Sequence, residues 1–302
     1  MSYYIGMDIG GTSTSIGLVK EGEVLDRTII QIQAFADGPI DQFIDQMVSE
    51  VKRLEGKHQC SVEGIGIGAP NGNYYNGTME LAPNMPWKEI HPIASMVEEK
   101  LEKRTILTND ANAGAIGEMQ FGVAKNLKDF IYITLGTGLG SGIVCNGQVI
   151  YGNDGFAGEM GHSILIPDGR DCTCGRKGCL EAYVSLRGIK QTYNELGGAG
   201  DLSPNEIAEN ANAGNELCLS VYDQTGKWLG LKLADAAVYT SPEAIVFFGG
   251  IAEASDLFFS SLKESLEENV HNLYRNKIKL LKSSLPLNDA AILGSAALVM
   301  RD

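Results

Sequence analysis

Three observations predict an α/β protein built of two related lobes. Short apolar strands alternate with amphipathic helices along 302 residues, a length that accommodates two domains of roughly 100–200 residues each. A strand–turn–strand pattern near the N-terminus recurs 125 residues later. No apolar run approaches the ~18 residues that a transmembrane helix requires.

The elements of the first lobe follow from apolar periodicity and turn residues. In chain order they are the three-stranded meander YYIGMDI, STSIGLV and EVLDRTIIQI, a helix over about 39–54, the strand VEGIGIG, a hairpin at Asn76-Gly77, a helix over about 92–102, and the strand TILTN. Asp110 follows TILTN, and we expect it to cap the next helix, ANAGAIGEMQF.

The second lobe restarts the same pattern. The predicted elements are the strand FIYITL, the strand SGIVC, a turn at Asn146-Gly147 and the strand QVIYG. The chain is then mainly helical to about Tyr239, followed by the strand AIVFFG, a helix from about Ser255 and the apolar segment AAILGSAALVM.

The repeat supports two lobes of common design. When the chain is shifted by 125 residues, IGGTSTSIGLVKEGEVL lies over TLGTGLGSGIVCNGQVI, which aligns Gly11 with Gly136 and Thr12 with Thr137. A separation this long is unlike the roughly 20–50 residues of a solenoid repeat. The alternative is a chance match between two glycine-rich hairpins.

The composition limits the classes of partner and the cellular compartment that we expect. The net charge is −14, from 24 basic and 38 acidic residues, and no basic run occurs, which disfavours a nucleic-acid partner or an anionic membrane. The start MSYYIGMDIGGT lacks the features of a signal peptide. Six cysteines in a chain this long do not indicate a disulfide scaffold, so we expect a cytoplasmic protein.

Two Gly/Thr turns suit phosphate oxygens, because glycine lets backbone N–H groups approach an anion and threonine adds a hydroxyl. The residues concerned are Gly10, Gly11 and Thr12 in the first turn and Gly136, Thr137 and Gly138 in the second. Asp8 adds a carboxylate suited to Mg²⁺. Together the turns favour ATP with Mg²⁺; the alternative is a pair of ordinary tight hairpins.

Other nucleotide motifs are absent or weak. There is no P-loop sequence. The stretch 64–69 matches the dinucleotide fingerprint and would suit a nicotinamide oxidoreductase, but its isoleucines alternate as in a strand and Pro70 obstructs the helix that should follow.

A metal site is predicted between residues 161 and 179. His162, Cys172, Cys174 and Cys179 offer the four ligands of a closed tetrahedral zinc site, which leaves no position for a reactive water and so indicates a structural metal. The alternatives are a redox pair or simply reduced thiols.

The order of these motifs resembles the ROK family of sugar kinases and repressors over essentially the whole chain. The matching segments are DIGGT, LGTG, ND-ANAG, GE-x-GH, C-x-C-G-x-x-G-C-x-E and FGG. The resemblance implies the actin-like ATPase (ribonuclease H-like) fold, with ATP and sugar in a cleft between a small lobe, 1–108 plus 290–302, and a large lobe, 109–289. Only seven residues precede Asp8, where the repressors carry a helix-turn-helix, so the kinase branch is implied.

The resemblance also implies roles for individual residues. Asp110 would be the catalytic base, and Gly249 and Gly250 would lie by the adenosine. The sugar would be bound by Asn84, Asn109, Asp110, Glu159, His162 and Glu181. Family habit further implies a homodimer.

The resulting prediction is ATP-dependent phosphorylation of the 6-hydroxyl of an aldohexose, with glucose preferred. The alternatives are an N-acetylglucosamine or N-acetylmannosamine kinase, a kinase of broad specificity, and a non-catalytic sugar sensor. Two departures from the family pattern are Ser13, where many members have lysine after DIGGT, and Asn71, where a glycine often follows the proline of the sugar loop.

Overall fold

The structure, a computed structural model, describes residues 2–300, so the last two residues of the predicted segment 290–302 lie outside it. The chain packs into two compact units. Unit 1 comprises Met1–Asn126, Val149–Gly158 and Ser284–Asp302, and unit 2 comprises Leu127–Gln148 and Glu159–Ser283.

Thirteen strands and ten α-helices form among the described residues. The strands are β1 (Tyr3–Ile9), β2 (Ser13–Lys20), β3 (Glu23–Gln31), β4 (Val62–Ala69), β5 (Gly72–Asn73), β6 (Thr78–Glu80), β7 (Ile90–His91), β8 (Thr105–Asn109), β9 (Phe130–Leu135), β10 (Leu139–Cys145), β11 (Gln148–Val149), β12 (Ala244–Phe248) and β13 (Lys279–Lys282). The helices are α1 (Ile40–His58), α2 (Ile93–Leu101), α3 (Asp110–Gln120), α4 (Glu181–Val184), α5 (Leu186–Glu195), α6 (Pro204–Asn212), α7 (Glu216–Thr240), α8 (Gly250–Glu253), α9 (Phe259–Asn269) and α10 (Ala290–Met300).

Unit 1 contains a five-stranded sheet with helices on both faces and a separate three-stranded sheet in the order β5-β6-β7. The strand order of the five-stranded sheet is β3-β2-β1-β4-β8; β1 pairs antiparallel with β2 and parallel with β4. Ile5, Met7 and Ile9 alternate along β1 and are buried in one apolar cluster with α1 and α2. On the other face, α10 packs against β1, β4 and α3.

Glycines in two neighbouring strands let α10 lie directly on the sheet. A Cβ atom on Gly6 would lie 1.9 Å from the carbonyl oxygen of Ile292, and one on Gly66 would lie 1.7 Å from that of Ser295. Gly66 belongs to the stretch that matches the dinucleotide fingerprint. That stretch lies within β4, as the alternating isoleucines indicated. Its glycines lie against residues of α10 and so serve helix packing.

Unit 2 repeats the topology of the first sheet. Its strand order is β11-β10-β9-β12-β13, and β9 pairs antiparallel with β10 and parallel with β12. The chain leaves each central strand through a Gly/Thr turn and returns in the next strand, as the 125-residue repeat predicts. Residues of β9, β10 and β12 share one apolar cluster with α4–α9.

Two predictions of the chain's organisation differ from the structure. The boundary at 108/109 differs because α3 packs on α10, so residues 109–126 belong to unit 1. The strand predicted as QVIYG ends at Val149, after which residues 149–158 belong to unit 1. No strand is predicted from the sequence at the position of β13. Among residues 2–300, no helix is both long enough and apolar enough to cross a membrane.

Candidate active site

The first Gly/Thr turn, at the end of β1, presents free backbone donors. The N–H of Gly10 donates to the carbonyl of Ser13 at 3.0 Å, which closes the turn. Within residues 2–300, the N–H groups of Gly11 and Thr12 make no hydrogen bond, and both residues are exposed. Two consecutive unpaired N–H groups are thus available as donors to an anion.

Gly11 also sets the position of a predicted sugar residue. A Cβ atom there would lie 2.9 Å from the carbonyl oxygen and 3.0 Å from the Cβ of Asn84. The loop that carries Asn84 is anchored by Trp87, which stacks on Phe43 with ring centroids 5.1 Å apart and donates to the carbonyl of Gly38 at 3.0 Å. The predicted phosphate turn and the predicted sugar loop are therefore in contact within unit 1.

The expectation that Asp110 caps α3 is wrong. Asn109 is the N-cap: its backbone is extended, and its side-chain oxygen accepts from Ala111 N at 2.9 Å and Asn112 N at 3.4 Å. Asp110 is the first helical residue, and its carboxylate accepts from Ala111 N at 2.8 Å. This arrangement fixes both side chains at the end of β8, and the side chain of Asn109 also hydrogen-bonds to the carboxylate of Asp110, which lowers the pKa of that carboxyl.

Two carboxylates interact at this edge of the sheet. The side chain of Asp110 is open to solvent, yet desolvation raises the pKa of its carboxyl, against the lowering effect of the Ala111 N–H. Burial raises the pKa of Asp8 to about 7, and the negative charge of Asp110 adds to the shift. The repulsion between these two acids is relieved by a proton or a cation.

Asn71 is one of the two departures from the family pattern, and it adopts a backbone conformation that glycine would also adopt at this position. Its φ of 50° lies in the left-handed region, which glycine adopts freely and asparagine tolerates best among other residues. Its amide donates to the carbonyl of Glu80 at 3.0 Å, so the side chain is held back within its own loop.

The second Gly/Thr turn, at the end of β9, repeats the pattern of donors. The N–H of Gly136 donates to the carbonyl of Gly138 at 3.0 Å. In the described part of the chain, the N–H groups of Thr137 and Gly138 make no hydrogen bond. Thr137 is exposed. This turn thus also offers two consecutive donors to an anion.

Glu181 connects this turn to the cysteine-rich segment. One carboxylate oxygen, Oε2, accepts from Leu139 N at 3.0 Å, while Oε1 accepts from the Thr173 hydroxyl at 3.2 Å and lies 3.8 Å from Cys172 Sγ. A Cβ atom on Gly138 would lie 2.5 Å from Oε2. A side chain at position 138 would therefore displace the carboxylate of Glu181 from its present position.

The four predicted metal ligands converge. Their ligand atoms lie within 4.8 Å of one another. Cys174 Sγ is 3.7 Å from Cys179 Sγ, and Cys172 Sγ is 3.7 Å from Nδ1 of His162. Zinc–sulfur bonds near 2.3 Å separate two sulfurs of a tetrahedron by about 3.8 Å, so the donor set and its spacing fit zinc. His162 uses Nδ1 in this cluster, which leaves Nε2 for another partner.

Arg170 anchors the cysteine-rich segment to the helices, a role that the sequence did not reveal. Its buried guanidinium pairs with Glu195, donates to the Thr192 hydroxyl at 2.9 Å and lies over the rings of Tyr183 and Trp228. It also donates to two carbonyls, so all its contacts run to α4, α5 and α7. Nothing distinguishes Arg170 in the sequence from a surface arginine.

The remaining predicted residues occupy the expected elements of unit 2. Glu159 is exposed and precedes a 3-10 turn that ends at His162, with His162 N donating to the Glu159 carbonyl at 3.1 Å. Gly249 has φ of 101°, and a Cβ atom there would lie 2.3 Å from the Leu135 carbonyl oxygen. Gly250 begins α8 with open space beside it. Position 249 therefore requires glycine.

Comparison with known proteins agrees with this description. The ROK family profile matches residues 4–302. A glucokinase of Halalkalibacterium halodurans is 33% identical over 98% of this chain and 94% of its own length. A ROK glucokinase of Streptomyces griseus, solved with glucose and AMPPNP, is 29% identical with a TM-score of 0.82, covering 98% of this chain and 99% of that one. A xylose repressor of Bacillus spizizenii is 31% identical over 99% of this chain and 77% of the repressor.

The repeated sheets have the actin-like ATPase fold, and the glucokinase and hexokinase relatives show that the chain is a sugar kinase. The chain belongs to the ROK family.

Replacement of Asp8 tests the raised pKa of this buried carboxyl through stability. Its raised pKa means that the folded state holds this proton more tightly than the unfolded state, so stability falls as pH rises from about 4 to about 7. At pH 8, Asp8→Asn is expected to raise the free energy of unfolding of the ligand-free protein by up to about 4 kcal/mol, and at pH 4 to change it little. Denaturant titration at both pH values measures this, with Asp37→Asn, an exposed acid, as control. An equal effect of Asp8→Asn at both pH values would contradict the account.

Replacement of Glu181 tests the link to the second turn. Glu181→Ala removes the acceptor of Leu139 N, so affinity for AMPPNP without sugar should fall by about tenfold. Glu181→Gln keeps an acceptor oxygen and should retain most of the affinity. Isothermal titration calorimetry gives both values, with Glu209→Ala on the exposed face of α6 as control. If the alanine variant binds AMPPNP normally, Glu181 does not position the turn.

Proposed function

We propose that the chain phosphorylates the 6-hydroxyl of an aldohexose from ATP, with glucose the preferred substrate. The observation that carries the proposal is Asp110, an exposed carboxylate with a raised pKa, held at the start of α3 beside Asn109. Phosphoryl transfer needs chiefly positioning, neutralisation of charge and an acceptor for the proton of the attacking hydroxyl.

Asp110 accepts the proton from O6 as that oxygen forms its bond to the γ-phosphorus. The bond between the γ-phosphorus and the bridging oxygen of ADP breaks, and ADP leaves. The raised pKa suits this task, because a base whose pKa lies closer to the working pH is both available and able to hold the proton.

The free N–H groups of Gly11, Thr12, Thr137 and Gly138 bind phosphate oxygens. Gly10 and Gly136 close the two turns, and Gly249 and Gly250 border the adenosine. Mg²⁺ bound with ATP would neutralise phosphate charge, and the carboxylate of Asp8, which makes no hydrogen bond or ion pair within residues 2–300, would hold it directly or through water.

We assign the binding of the sugar hydroxyls to the side chains that the sequence predicts for this role. In unit 1 these side chains are Asn84 and Asn109, beside Asp110. Unit 2 provides Glu159, Nε2 of His162 and Glu181, held by the loop that a structural zinc ion would organise through His162, Cys172, Cys174 and Cys179. The S. griseus relative was solved with glucose, and this supports the assignment. We also propose that the protein is cytoplasmic and forms a homodimer, as its family membership implies.

Two alternatives are retained. The N-acetylated hexosamines differ from glucose at C2, and a solved structure of 24% identity is described as a putative N-acetylmannosamine kinase from Listeria monocytogenes. A non-catalytic regulator is favoured by the repressor relatives, but the retained Asp110 argues against it.

A coupled assay of ADP release tests the proposal over glucose, N-acetylglucosamine, mannose, allose, fructose and N-acetylmannosamine. Glucose should give the highest kcat/KM. Asp110→Asn should lower kcat by about 10²–10⁴-fold with little change in KM, because the amide cannot accept the proton.

Asp37→Asn serves as the control and should keep full activity. Turnover of none of the six sugars would contradict the kinase and favour the regulator, while native turnover by Asp110→Asn would remove Asp110 as the base.

A further inference from the structure

Unit 1 contains a second concave site, which we name the hairpin pocket. It is lined by residues of the β5–β6 hairpin and of segment 149–158, namely Asn73, Tyr75, Asn76, Glu80, Asn153, Asp154 and Phe156. Its volume is about 470 Å³, within the range of small-molecule sites. None of these residues belongs to the proposed catalytic machinery.

The walls of the hairpin pocket are held in place by direct bonds. The amide NH₂ of Asn73, which is 3% exposed, donates to Glu80 Oε1 and to the carbonyl of Asp154, both at 3.0 Å. The hydroxyl of Tyr75 donates to the carbonyl of Gly152 at 2.8 Å. Behind it, Tyr74 stacks on Tyr151 with centroids 4.1 Å apart. A preorganised wall lowers the entropic cost of binding a ligand.

Two aromatic rings are exposed in this otherwise polar site. Tyr75 is 57% exposed and Phe156 is 38% exposed. Neither ring is needed to fill the apolar core, and both border the same cavity. An exposed ring offers an apolar face to a ligand, while the neighbouring amides and carboxylates offer hydrogen bonds.

The charge of the lining selects the class of ligand. It contains two carboxylates and three asparagines but no lysine or arginine, so it repels phosphates and other anions. Glu80 Oε1 accepts hydrogen bonds from two neutral donors, the Asn73 amide and the Thr78 hydroxyl. Planar amide and carboxylate groups pair well with adjacent hydroxyls, and the C–H face of a pyranose packs on an aromatic ring.

We propose that the hairpin pocket binds a neutral saccharide at a site separate from the catalytic hexose. A divalent cation would use the same oxygens, but it gives no account of two exposed rings on the same cavity. The proposal does not depend on the identity of the phosphorylated sugar.

The test is ¹⁹F NMR of the full chain labelled with 3-fluorotyrosine, because it reports binding at Tyr75 itself. The resonance is assigned by its loss in Tyr75→Phe. Titration with maltose should shift it saturably, with half-saturation on the order of 1 mM, as weak saccharide sites show. Tyr239, which is 88% exposed and lies at the end of α7, serves as internal control and should not shift.

Phe156→Ala should weaken the maltose response at least about fivefold, since a ring face is lost, while ADP release in the kinase assay stays unchanged. Glucose 6-phosphate, an anion, should give no response. Failure of maltose to move the Tyr75 resonance, a response to CaCl₂ in its place, or an equal response in Phe156→Ala would each overturn the proposal, whatever the outcome of the sugar screen.

Discussion

The rest of the candidate site in unit 2 depends on the hydrogen bonds that the carboxylate of Glu181 accepts. It accepts from Leu139 N, which begins the strand after the second Gly/Thr turn, and from Thr173 within the cysteine-rich segment. Because one oxygen serves each side, the position of the turn and the fold of that segment are coupled. Gly138 follows from the same contact, since any side chain there would displace the carboxylate.

The two units use one topology for different tasks. Each has a central strand, a turn with two unpaired N–H groups, and an antiparallel return strand. Unit 1 adds acids at this edge, Asp8 on the central strand and Asp110 at the start of α3. Unit 2 instead adds the cysteine-rich segment, which Arg170 ties to the helices. The repeat thus provides a pair of unpaired backbone N–H groups twice, and the two units differ in the side chains that lie beside them.

Much of the fold could be predicted, because apolar periodicity and glycine turns are local signals. The repeated sheets and the converging cysteines are of this kind. The sequence could not choose between Asn109 and Asp110 as N-cap, since both side chains can cap and only the backbone geometry decides. Arg170 and the docking of segment 149–158 were missed because they depend on contacts between residues distant in the chain.

The central claim is that an organised cysteine-rich segment holds Glu181 against the second turn. The most direct measurement is the affinity of metal-stripped protein for AMPPNP, without sugar, before and after zinc is restored. The account predicts one zinc ion per chain, a loss of affinity of about tenfold on stripping, and recovery on addition of zinc. Unchanged AMPPNP affinity in the stripped, folded protein, or no stoichiometric metal in untagged material, would contradict it.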